Sequence, residues 1–238
     1  MQLLVSVSDA AEALAAVSGG ADIIDAKNPS MGALGAVRPD VLSEIRRAVD
    51  SGRLVTAALG DADAAKAVEE LARELAVRGA RLVKVGFGNI ADAARVEEII
   101  GRLTGACSSL DEPSGVVAVA YADAQASTRI DAHELLPIAA RSGASGVLVD
   151  TADKRGPGLL NLWNTLTLES WIAEAHAHGL MAAVAGKLRL DDLGVVADAG
   201  ADVAGVRGAA CVGGRAGRVS SERVRSLAAR VALQRSTT

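Results

Sequence analysis

Residues 19–27, Gly-Gly-Ala-Asp-Ile-Ile-Asp-Ala-Lys, read as a helix end, a turn and a buried strand with charge at its tip. Glycine just past a helix accepts the left-handed conformation at low cost. The Ile23-Ile24 pair sits in an apolar run of strand length. The same phrase returns as RGARLVK at 78–84, SGASGVLVD at 142–150 and AGADVAGV at 199–206. Between these phrases lie Ala-, Glu- and Arg-rich segments with helical spacing. Working outward, strands are expected near 2–7, 21–27, 54–59, 81–87, 115–122, 146–151, 180–185 and 203–208. Helices are expected near 8–18, 38–51, 61–78, 90–104, 131–142, 167–178, 189–199 and 220–234. Strands that alternate with helices form a parallel sheet, because each helix carries the chain back across it. Eight such units of even period predict one (β/α)8 TIM barrel over residues 1–238, with no linker or second domain. An open doubly wound sheet is the runner-up, but the first turn lacks the GxGxxG of that fold.

Composition supports the barrel. Half of the 238 residues are apolar and only 2% are aromatic, so Ala, Val, Leu and Gly must fill the core. A barrel lumen is packed by layers of such small and branched side chains. The net charge is −4 with both signs spread along the chain, and no basic stripe suggests nucleic acid. No apolar run has transmembrane length, so no membrane partner is expected. Two distant cysteines, Cys107 and Cys211, and no signal-like start predict a cytoplasmic protein. The partners considered are a small molecule and a second copy of the chain in a homo-oligomer.

Barrel active sites sit at the C-terminal ends of the strands. Side chains alternate along a strand, so Asp25 and Lys27 share a face with Ile23 and turn into the lumen if Ile24 packs outward. The same alternation turns Lys84 inward from strand four and Asp150 from strand six. Arg207, at the end of strand eight, is a further candidate. Lys154 follows Asp150 on a loop. Structural ion pairs, Asp25 with Lys27 or Lys84 with Asp150, are the plainer alternative. Buried pairs seldom stabilise a fold over apolar replacements, so several together suggest a site. A neutral lysine amine can form a Schiff base, and a dry pocket or a neighbouring cation favours that form. This chemistry needs no metal and no cofactor. The histidines lack ligand spacing: His176 and His178 stand two apart on a helix, and His133 is alone.

A phosphate site is expected on the loops after strands seven and eight. The first carries Gly186 and Lys187; the second runs Arg207-Gly208-Ala209-Ala210-Cys211-Val212-Gly213-Gly214-Arg215. There Gly208, Ala209, Gly213 and Gly214 let backbone N–H groups approach oxygens, and the basic side chains add charge. Cys211 is expected as a small apolar filler. Tyr121 and Asp123, ending strand five, stay open as substrate contacts. Trp163 and Trp171 are expected on the barrel exterior or in a subunit contact.

The runs LLVSVSD (3–9), GGADIIDAKNPSMGALGA (19–36), LVKVGF (82–87), VAYADA (119–124), VLVDTADKRG (147–156), AGKLR (185–189) and VRGAACVGG (206–214) together resemble the (5-formylfuran-3-yl)methyl phosphate synthases. The resemblance spans nearly the whole chain. It implies a class I aldolase-like lyase without cofactor that joins two glyceraldehyde 3-phosphates, one as dihydroxyacetone phosphate. Phosphate and water are lost to give 4-(hydroxymethyl)-2-furancarboxaldehyde phosphate, for methanofuran or another furan metabolite. It assigns the Schiff base to Lys27, proton transfer to Lys84, and supporting roles to Asp25, Asp150 and Lys154. Read from the residues alone, another lysine-dependent aldolase, a phosphosugar isomerase and a non-catalytic phosphate-binding barrel remain open.

Overall fold

The computed structural model describes residues 1–62, 65–123 and 129–235. Eight parallel strands close into a barrel in sequence order: β1 (Gln2–Val7), β2 (Ile23–Ala26), β3 (Leu54–Asp61), β4 (Leu82–Gly86), β5 (Gly115–Tyr121), β6 (Gly146–Asp150), β7 (Met181–Val184) and β8 (Val203–Val206), with β8 pairing back onto β1. The surrounding helices are α1 (Ala10–Gly19), α2 (Pro39–Ala48), α3 (Ala65–Val77), α4 (Ala93–Ser108), α5 (Ala132–Arg141), α6 (Leu159–Leu162), α7 (Thr165–Ala177), α8 (Asp192–Asp198) and α9 (Ser221–Arg235). The fold class is the (β/α)8 barrel that the repeated phrase predicts. Among the described residues no helix is long and apolar enough to cross a membrane.

The repeated phrase works as its chemistry suggests. Asp9 caps α1 by accepting the Glu12 N–H at 2.9 Å, and Gly20 ends the helix at φ 92°. A residue with a Cβ would be strained there. Gly79, Gly143, Gly179 and Gly200, each ahead of a strand, also have positive φ.

Strand alternation divides the core into two layers. Leu3, Val5, Ile24, Val83, Val85, Val147 and Val149 point outward and pack under the helices. Ile23, Val117, Val119, Leu148, Ala183 and Val203 point inward and fill the lumen. The lumen packing is thin toward the strand ends, where polar residues replace apolar ones. Trp171 is fully buried, with its indole N–H donating to the Ala132 carbonyl at 3.0 Å. It belongs to the core rather than to the exterior or a subunit contact.

Three features depart from the sequence reading. β3 runs two residues further, to Asp61, through a bulge between Ala58 and Gly60. α6 precedes α7. The loop after β8 contains a small antiparallel hairpin, β9 (Cys211–Val212) and β10 (Arg218–Val219). Strands of two residues carry no detectable period. What shapes the hairpin is glycine: Gly213 and Gly214 turn it with positive φ. A Cβ on Gly217 would lie 1.7 Å from the Val212 carbonyl oxygen.

Gly217→Ala is therefore expected to destabilise the protein by roughly 1–3 kcal/mol by forcing the hairpin open. Gly213→Asn, which tolerates left-handed backbone, should stay within about 0.5 kcal/mol. Urea unfolding midpoints check both.

Candidate active site

A cavity of about 360 Å³ opens at the C-terminal ends of the strands. Its floor is apolar: Leu4, Ile23, Leu82, Val117 and Leu148 line it. Its upper wall carries Asp25, Lys27, Lys84, Asp150 and Lys154, so the structure brings all five of these predicted residues together.

Asp25 is the deepest. In the barrel register Ser6 of β1 and Thr56 of β3 stand on either side of it. The Ser6 hydroxyl donates to one carboxylate oxygen at 2.9 Å and the Thr56 hydroxyl to the other at 2.8 Å. Lys84 of β4 completes the seat as an ion pair. Asp25 is fully buried, and burial alone would raise its pKa. The charges of Lys84 and Lys27, with the hydrogen bonds, outweigh that and hold the carboxyl below its ordinary value. Across the lumen, Asp150 ends β6 and accepts the Lys154 ammonium at 2.6 Å. The pairings thus differ from those weighed on the sequence: Asp25 takes Lys84 rather than Lys27, and Asp150 takes Lys154 rather than Lys84.

This pairing isolates Lys27. Its backbone N–H extends the β2 ladder to the Val7 carbonyl at 2.9 Å, and its side chain is buried at the cavity wall. Among the described residues the Lys27 ammonium has no hydrogen bond and no carboxylate at ion-pair distance. Burial lowers its pKa to about 8, against the opposing pull of Asp150 and Asp25. The positive charges of Lys84 and Lys154 lower it further, by less than burial does. Burial thus outweighs the neighbouring cations in lowering it.

The loops after β7 and β8 line the same cavity through Gly186, Lys187, Gly208 and Ala209. Gly186 and Lys187 both have positive φ, and the exposed Lys187 ammonium is tied to the Gly156 carbonyl. Gly213 and Gly214 lie outside the lining, in the hairpin turn. Arg207 borders the cavity, yet its guanidinium points to α1. It donates to both oxygens of the buried Glu12, to the Ser6 carbonyl at 3.0 Å, to Gly217 at 2.9 Å and to Arg215 at 3.2 Å. A guanidinium has five N–H donors, so none is left for a ligand. Arg207 braces the hairpin.

Tyr121 and Asp123 do not line the cavity. The Tyr121 hydroxyl donates to Asp61 at 2.7 Å, and burial pushes its pKa well up, with the Asp61 charge adding to this. Asp123 accepts the backbone N–H groups of Ala152 and Asp153, both at 2.8 Å, and so steadies the loop that carries Lys154. Sequence reading missed Ser6, Thr56, Glu12 and Asp61. For Ser6 and Thr56 a signal existed, since a hydroxyl on an inward strand position wants a polar partner. For Glu12, one acid in a helix, there was none.

A family described as 4-HFC-P synthase matches residues 3–228. A (5-formylfuran-3-yl)methyl phosphate synthase of Methanococcus maripaludis strain C5 is 37% identical over 230 residues, covering 95% of this chain and 98% of the relative. One from Methanobrevibacter smithii is 39% identical over 215 residues, covering 90% and 91%. Among solved structures a 3-hexulose-6-phosphate synthase superposes with a TM-score of 0.69 over 97% of this chain and all of its own. At 21% identity it speaks to the fold alone.

Two predictions come from the charged layer. Asp25→Asn leaves Lys84 buried without its counter-charge and should cost roughly 3–5 kcal/mol in urea unfolding. Lys27→Met should stabilise the protein. The folded pKa of Lys27 lies below its unfolded value of 10.5. The cost of the buried charge is therefore fully present below pH 8 and disappears as pH rises from about 8 to 10.5. At pH 7 the gain should be about 3 kcal/mol, shrinking toward zero above pH 10.5. Equal gains at pH 7 and pH 10.5 would contradict the account.

Proposed function

The chain belongs to the 4-HFC-P synthase family, and from that premise we propose that it is a lyase that joins two triose phosphates through a Schiff base at Lys27. The observation that carries this reading is the isolation of Lys27: buried, unpaired among the described residues, facing the cavity and with its pKa lowered to about 8. An amine attacks a carbonyl only when unprotonated.

In this reading the Lys27 amine adds to the keto carbon of dihydroxyacetone phosphate, formed from glyceraldehyde 3-phosphate, and water leaves as the imine forms. A second glyceraldehyde 3-phosphate loses the proton on its central carbon and its phosphate, and the terminal carbon of the resulting enol attacks the imine carbon. Lys84, set by Asp25, and Lys154, set by Asp150, stand on either side to move these protons. Release of the lysine amine from the joined carbon, closure of the ring by the free hydroxyl onto the new ketone and loss of a second water leave the furan aldehyde phosphate. Overall, two triose phosphates give one furan phosphate, one phosphate and two waters, which balances the atoms. The glycine-lined loops after β7 and β8 suit one substrate phosphate, as this fold commonly does.

Incubation with glyceraldehyde 3-phosphate alone is expected to produce a furan chromophore in the near ultraviolet, with inorganic phosphate released in equal amount. A plain aldol product would lack the chromophore and overturn the reading. Borohydride added during turnover should leave a mass adduct on the peptide containing Lys27, and the rate of trapping should rise with pH through about 8. Lys84→Met should slow turnover by roughly 10²–10⁴-fold.

A further inference from the structure

Seven cationic side chains line the cavity against two carboxylates. Lys84, Lys154 and Arg207 are paired with Asp25, Asp150 and Glu12. Lys187 and Arg189 are exposed to water, which solvates their charge. Besides Lys27, that leaves Arg215. Its guanidinium is half-buried, and burial lowers its pKa. It reaches from the hairpin across the mouth to the carbonyls of Pro29 and Gly32, the latter at 2.7 Å, on the loop that follows Lys27. Among the described residues no carboxylate pairs with it. A partly desolvated guanidinium held only by neutral carbonyls has its natural complement in an anion. Two of its five N–H donors serve the loop and three remain.

The surrounding structure fixes its aim. Arg207 spends its donors on Glu12, Ser6 and the carbonyls of Arg215 and Gly217, which pins the hairpin from below. The absent side chain of Gly217 lets the hairpin close tightly. Arg215 thus leaves a braced backbone and lies over the end of β2.

We propose that Arg215 is a substrate-binding residue that takes the second of the two substrate phosphates while clasping the loop after β2. The proposal rests on the triose phosphate reading above. A reaction between two phosphorylated trioses brings two phosphates into one cavity. Gly186 and Lys187 on the loop after β7 offer one anion site; the Arg215 guanidinium, drawn to the carbonyls of Pro29 and Gly32 on the loop after β2, offers the other.

The test compares wild type with Arg215→Ala and Arg215→Lys, each first checked for native circular dichroism. Dihydroxyacetone phosphate and unphosphorylated dihydroxyacetone are trapped with borohydride at Lys27, and inorganic phosphate is titrated calorimetrically. In Arg215→Ala the half-saturating concentration of dihydroxyacetone phosphate, or of glyceraldehyde 3-phosphate in turnover, should rise about tenfold or more. Trapping of dihydroxyacetone should change less than about twofold. Arg215→Lys should fall between, since it keeps the charge and loses the fork. One class of inorganic phosphate site should weaken by at least about tenfold in Arg215→Ala. Equal losses for the phosphorylated and unphosphorylated ketone would make Arg215 a clasp only and overturn the proposal, as would unchanged phosphate binding. If wild type traps neither ketone, the Lys27 reading fails. The phosphate titration then decides Arg215 by itself: a lost or weakened site supports it, and an intact one overturns it.

Discussion

The buried Asp25 carboxylate decides the character of the whole site. It sits in a row across three strands, between the hydroxyls of Ser6 and Thr56, and binds the Lys84 ammonium. A charge placed this deep is tolerable only with such complete satisfaction. By taking Lys84, Asp25 leaves Lys27 without a counter-ion among the described residues. Asp150 takes Lys154 in the same way across the lumen. Two paired lysines and one buried lysine unpaired among the described residues suit the proposed Schiff-base reaction: a nucleophile with a lowered pKa, and two ammonium groups beside carboxylates that can move protons.

The arrangement costs stability. The lower lumen is closed by Ile23, Val117, Leu148 and Val203, as in an ordinary barrel core. One layer higher, where apolar residues would strengthen the fold, the chain places five ionisable groups. The lowered pKa of Lys27 has the same origin, because the burial that destabilises its charged form in the folded state is what makes the amine available. The outer core, with Leu3, Val5, Ile24, Val147 and Val149 packed under the helices, carries the burden of holding the barrel closed.

Much of this was legible from residue order because a barrel strand has a period of two and its C-terminal end has a known role. With Ile24 packed outward, alternation turns Ile23 and Asp25 inward, and the same rule places Lys84 and Asp150. Partner choice was not legible. Which lysine meets which aspartate depends on barrel register and side-chain reach, neither of which a single strand encodes. Arg207 shows a second limit. Its position beside a glycine-rich loop suggests an anion ligand, but Glu12, 195 residues away in sequence, occupies its donors. The β9–β10 hairpin, built from two-residue strands and a steric requirement at Gly217, has no periodic signal at all. It is nevertheless what aims Arg215 at the loop beside Lys27.

Burial makes the Lys27 amine easier to deprotonate than an ordinary lysine before any substrate arrives. The chain has only five lysines, at positions 27, 66, 84, 154 and 187. Carbon-13 labelling at the lysine ε position, with Lys27→Arg to assign its signal, resolves each one in an NMR pH titration. The account predicts that the Lys27 signal titrates near pH 8. A Lys27 signal that titrates near the ordinary lysine value of about 10.4 would contradict it.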